Sequence, residues 1–203
     1  HSNCEPMSDM SSATIICNSQ VVPAYKDNSN CGGCGNVCTL SICKNSICSN
    51  PDVGEIITFG HYEQDADPTN GKEPIEWRVL DINDEGQYLI ISKKVLTQRA
   101  YDNADTGLIW SNSKIRSWLN GYPASYNRKG TDYTNDNFID AAFTTEEKSM
   151  IVYATVPGYQ DSICPSTSAT TDKIFLLTIA EVNRYFTDKN DRKAHGTLSV
   201  FFE

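Results

Sequence analysis

The sequence predicts an α+β protein: an antiparallel sheet with a few helices, preceded by a small disulfide-rich module. Three observations carry that expectation. Seven of the eight cysteines (Cys4, Cys17, Cys31, Cys34, Cys38, Cys43 and Cys48) fall in the first fifty residues, and Cys164 stands apart. Residues 53–91 alternate in strand fashion, and residues beyond 110 carry helical spacing and capping boxes instead. Strands followed by helices fit α+β better than alternating α/β.

The change of character near residue 50 divides the chain into a cysteine module, 1–50, and a larger domain, 51–203. The first fifty residues hold one aromatic, Tyr25, and five charges. So little apolar surface cannot offset ordering entropy, and such a segment needs cross-links or metal. Ser49-Asn50-Pro51-Asp52 reads as the boundary, because the residue before proline avoids helical backbone. The opening at His1 reads as a mature or trimmed chain.

Within the module, Cys31-Gly-Gly-Cys34-Gly-Asn-Val-Cys38 precedes Cys43 and Cys48. Thiolates at such gaps can converge on an ion. The spacing does not match a zinc ribbon, the only histidine of the segment is His1, and Gly32, Gly33 and Gly35 suit tight turns, so disulfides are expected. Seven is odd, so one cysteine must look outside the module. A bond from Cys164 to Cys4 is the expected solution; free thiols or a cysteine on another chain are the alternatives.

In the larger domain, Val53–Tyr62, Ile75–Leu80 and Tyr88–Ile91 read as the strands of a meander, with a turn at Asp84-Glu85-Gly86. Ile115, Trp118 and Leu119 share a helical face, with Ser111 or Asn112 as N-cap and Asn120-Gly121 as the stop. Thr144-Thr-Glu-Glu147 opens a helix reaching Ile151, and Thr178-Ile-Ala-Glu181 opens one carrying Val182, Tyr185 and Phe186. Lys173–Leu177 reads as a buried strand, and 120–137 as a long surface loop.

The net charge of −9 argues against nucleic-acid or anionic-membrane partners, and no apolar run is long enough to span a bilayer. His61 reads as a structural histidine at a strand edge, and His195 lies in a loop with no nucleophile near it in sequence, so no catalytic set is expected. No cofactor is expected either. The metal candidate weighed is calcium, since Asp65, Asp67, Thr69, Gly71, Glu73 and Glu76 follow an EF-hand-like register. Asn70 occupies the glycine position, Pro68 stiffens the loop, and strands flank it, so a solvated hairpin loop is the stronger reading. Trp77 and Trp118 read as core and Trp110 as the hydrophobic staple residue ahead of its helix. The ligand-facing aromatics expected are Tyr122, Tyr126 and Tyr133, whose neighbours are Asn, Ser, Gly and Asp, as in adaptable binding loops.

Residues 17–48, with Asn-Cys-Gly-Gly-Cys-Gly-Asn-Val-Cys38, resemble the short stigma-specific-like Cys-rich repeats of secreted proteins, which implies a spacer or interaction unit. Four blocks of the larger domain carry a second resemblance: Glu76–Leu80, Trp110–Asn120, Ala142–Glu147 and Asp172–Val182. Together they resemble an uncharacterised domain family of bacterial surface proteins related to the C-type-lectin-like and formylglycine-generating-enzyme folds. The resemblance implies a lectin-like domain that lacks its usual C-terminal closing segment after Phe202, and it implies recognition of an external ligand. The expectation is therefore a secreted or cell-surface protein that binds a protein or glycan without catalysis. The competing expectation is a structural module completed by another chain through the apolar run Leu198–Glu203.

Overall fold

The computed structural model describes residues 15–17, 20–22, 38, 41–44, 47–102, 109–158 and 168–201. The architecture is α+β, as the sequence predicts, with short helices and antiparallel pairings. By contacts the chain forms two compact units, His1–Phe59 with Pro74–Lys93 and Gly60–Glu73 with Lys94–Glu203. This partition lies elsewhere than the compositional change near residue 50.

In the first unit, β1 (Ile15–Cys17) pairs with β2 (Gln20–Val22), and β3 (Ile42–Lys44) with β4 (Ile47–Ser49). Cys43 faces Cys48 across the second hairpin, yet Cys48 is bonded to Cys38, and Cys43 is itself disulfide-bonded. Buried Cys38 and Cys43 serve as the apolar centre here, where large side chains are scarce. Lys44 lies 3.0 Å from both Asp52 and Glu55. Strands β5 (Ile56–Tyr62), β6 (Glu73–Ile82) and β7 (Tyr88–Ser92) follow in sheet order β5-β6-β7, the expected meander, of which 56–59, 74–82 and β7 belong to this unit. Ile75, Trp77 and Val79 point to one buried face, as a two-residue period requires. A bulge between Val79 and Asp81 then shifts the register, and Leu80 is buried as well. Trp77 Nε1 donates to the Phe59 carbonyl at 2.6 Å.

The second unit contains α1 (Lys114–Asn120), α2 (Phe138–Ala142), α3 (Thr145–Met150), the β8–β9 pair (Ala154–Val156 with Thr170–Asp172) and α4 (Ile179–Tyr185). Trp118, Phe138 and Phe143 form its aromatic centre, with ring separations of 5.7 and 6.1 Å around Phe138. Both predicted capping boxes form, at Thr144/Glu147 and Thr178/Glu181. Gly121 ends α1 at φ 68, which glycine adopts without penalty.

Four expectations change. Residues 110–112 make their own 3-10 turn, so Ser113, not Ser111 or Asn112, caps α1 by accepting from Arg116 N. Lys173–Leu177 is no strand and Leu176 is exposed, because the Asn120 side-chain oxygen accepts from both the Lys173 and Ile174 amides. The stretch 120–137 is not a surface loop throughout. Asn127 bonds Thr131 through both its amide atoms, Asn137 donates to the Tyr133 carbonyl, and all three of Asn127, Tyr133 and Asn137 are buried. Finally, the described part of the C-terminal run, 198–201, is not an open strand. Thr197 N donates to Val95 O, Leu198 N to Gln64 O, and 199–201 form a 3-10 turn.

Among the described residues, no helix is long and apolar enough to cross a membrane.

Candidate functional site

A polar network of the second unit begins with a stripe on α1 and its N-cap. Ser113, Arg116, Ser117 and Asn120 recur at helical spacing, and the first three are buried. A buried guanidinium requires a partner, and β9 supplies one in the fully buried Asp172. Arg116 Nε lies 2.9 and 3.0 Å from the two carboxylate oxygens. Trp110 Nε1 (2.9 Å), Thr170 Oγ1 (2.6 Å) and Tyr122 OH (3.0 Å) donate to the same carboxylate. Trp110 is thus a hydrogen-bond donor to Asp172, a role beyond the staple expected from its position.

Burial pushes the Asp172 carboxyl upward, but the hydrogen bonds from Arg116, Thr170 and Trp110 outweigh it and hold the group below the usual carboxylate range. Burial, and then the charge of Asp172, push the Tyr122 hydroxyl well above its ordinary value. Both groups therefore keep one charge state near neutrality, and the network positions rather than transfers protons.

What it positions is Arg116. Its Nη1 donates to the Ser111 carbonyl at 2.8 Å, and Nη2 has no hydrogen-bond partner among the described residues. The guanidinium carbon lies 5.0 Å from the Tyr122 ring centroid and 5.8 Å from that of Tyr126, and the two rings lie 4.7 Å apart. Arg116 and Tyr126 line an open cleft of about 420 Å³ with Ser111, Asn112, Asn127 and Arg128. The Asn112 Oδ1 atom is out of contact with solvent and has no hydrogen-bond partner. The cleft thus offers an aromatic face, a fixed cation and amide groups, the combination that holds polar organic ligands.

Of the three tyrosines expected to face a ligand, Tyr122 and Tyr126 come together here. Tyr126 is 47% exposed, whereas Tyr133 is buried at 8%. What changes is the exposure of Tyr133, because 120–137 folds on itself and Tyr133 N donates to the Tyr122 carbonyl. Arg116 and Asp172 were missed as a pair. Each is a charged residue of one of two separate sequence blocks, and only the fold brings the two together.

The EF-hand-like register does not form. Asp67 Oδ1 accepts from Thr69 N and Oγ1, and Glu76 pairs with Lys93 at 2.9 Å. Instead Glu63, Asp65 and Glu73 bring one carboxylate oxygen each within 4.8 Å of the others. These groups already accept from the loop: Glu63 from Asp67 N, Asp65 from Asn70, and Glu73 from Gln64 N. The Asn70 hydrogen bond leads in holding Asp65 below its ordinary value. Both His61 and His195 are exposed. Cys4, Cys31, Cys34 and Cys164, and the side chain of Cys17, lie outside the described residues, and so does the expected Cys4–Cys164 bond.

No curated protein and no solved structure matches the chain. A family model described as a domain of unknown function (DUF6273) matches residues 85–203, a span that holds the whole Arg116–Asp172 network and its cleft. That span is more than half of the chain, and the chain belongs to this family.

Proposed function

We propose that the protein is a non-catalytic recognition module, secreted or displayed at a cell surface, that binds glycans through the Tyr126 cleft. The observation that carries this reading is the Tyr122–Tyr126 pair over the immobilised Arg116 guanidinium. Sugars offer apolar ring faces edged with hydroxyls. An exposed tyrosine face suits the first, and Arg116 Nη2 suits the second. A ligand carrying a carboxylate, such as a uronic-acid glycan, gains a charge-assisted bond to Arg116 as well. The oxidising compartment is supported by the Cys38–Cys48 bond and by the disulfide at Cys43. The lectin-like family relation fits the same use, as analogy.

Screening the whole chain against a glycan array tests the reading. Selective binding to acidic or neutral oligosaccharides is expected, and a blank array with intact, folded protein overturns it. An alternative role in assembly through an open strand at Leu198–Glu203 has less to support it, since the backbone at Thr197, Leu198 and Ser199 already donates within the chain.

A further inference from the structure

We propose that a second pocket, on the other side chains of α1, binds a small organic acid through its carboxylate. The pocket has a volume of about 270 Å³ and is lined by Arg99, Ala100, Lys114, Ile115, Trp118 and Tyr133 among others. It shares no lining residue with the Tyr126 cleft.

Three observations point to an anionic ligand. The chain has three tryptophans, and two of their indole N–H groups are satisfied: Trp77 by the Phe59 carbonyl and Trp110 by Asp172. Trp118 is 97% buried, being 3% exposed, and its Nε1 has no acceptor. A buried N–H without a partner is costly unless a ligand or water completes it. Second, Arg99 lies over the Trp118 ring at 4.2 Å, and neither Arg99 nor Lys114 takes part in an ion pair of the described residues. Two unpaired cations beside an unpaired donor are unexpected in a chain of net charge −9, where acidic partners are plentiful. Third, Ala100, Ile115, Trp118 and Tyr133 give the pocket apolar and aromatic walls, which an inorganic ion does not use. A carboxylate on an aromatic or aliphatic body matches all three: its oxygens accept from Arg99, Lys114 and the indole, and its body meets the walls.

Benzoate is the probe, with benzamide as the same body without charge and sulfate as the charge without the body. The whole chain, labelled with nitrogen-15, is titrated while the three indole N–H signals are followed. The Trp118 signal is assigned by Trp118→Phe, or by triple-resonance spectra should that variant not fold. A saturable shift of the Trp118 signal with benzoate is expected, with benzamide and sulfate at least about tenfold weaker. Arg99→Gln, at an exposed position, should weaken benzoate about tenfold with the fold retained. The proposal is overturned by an unmoved Trp118 signal, by benzamide or sulfate binding as well as benzoate, or by an Arg99→Gln variant of unchanged affinity. Because the two pockets are separate, none of these outcomes bears on glycan binding at the Tyr126 cleft.

Discussion

Asp172→Asn probes the network that holds Arg116. The carboxylate side chain is 0% exposed and that of Arg116 is 8% exposed. Removing one partner of a buried ion pair leaves the other charge uncompensated and costs about 3–5 kcal/mol. The replacement amide also turns a donor toward Arg116 Nε, Trp110, Thr170 or Tyr122, all of which donate to Asp172 in the native chain. For a chain of this size each kcal/mol moves the midpoint by roughly 2–4 °C, so the variant should melt roughly 6–20 °C lower at pH 7. Thermal unfolding followed by near-ultraviolet circular dichroism measures it. The loss also has a pH signature. A carboxyl held below its unfolded value contributes stability that is present above about pH 4 and is lost as pH falls through the folded value. The gap between native chain and variant should therefore close on acidification below about pH 4. A cost below about 1 kcal/mol at pH 7, the size of an exposed pair, refutes the reasoning. So does a gap that is the same at pH 3 and pH 7.

Tyr122→Phe removes one donor to Asp172 and should cost about 1 kcal/mol near neutrality. Because the Tyr122 hydroxyl is raised, its contribution is present below about pH 10 and is lost as pH rises further; the Phe variant should lack that alkaline loss in urea titrations. Gly60→Ala places a Cβ at φ +72, 2.5 Å from Phe143 Cε1 and 2.8 Å from the Ala142 carbonyl, so equilibrium unfolding should show a cost of about 1–3 kcal/mol. A neutral Gly60→Ala would mean that this close approach is absent. Replacing Cys38 and Cys48 together by serine opens a loop of sequence separation 10 and should destabilise the first unit by roughly 3 kcal/mol. Unchanged hydrogen exchange in β3 and β4 would contradict that figure.

The legible parts of the fold were those set by local rules. The meander β5-β6-β7 follows from alternation, and both capping boxes follow from a Thr with a Glu three residues later. The misread parts are those in which a side chain replaces a backbone partner. Asn120 takes the amides of Lys173 and Ile174, so an apolar run that looks like a strand needs no strand beside it. Asn127 and Asn137 do the same within 120–137, turning a polar, loop-like composition into buried structure. The site was half legible for the same reason. Tyr122 and Tyr126 are marked by composition, while Arg116 and Asp172 are 56 residues apart and meet only in the folded chain, where the Arg116 side chain reaches Asp172. Tyr133 lies in the same polar stretch as Tyr126 and is buried instead.

The claim that the Tyr126 cleft is the recognition surface is tested most directly by calorimetric titration of Tyr126→Ala with the tightest ligand from the glycan array. Tyr126 is 47% exposed, so the substitution should leave the unfolding midpoint nearly unchanged. Loss of one stacking face should weaken binding by about tenfold or more. Affinity equal to that of the native chain, at equal stability, would place recognition elsewhere on the molecule.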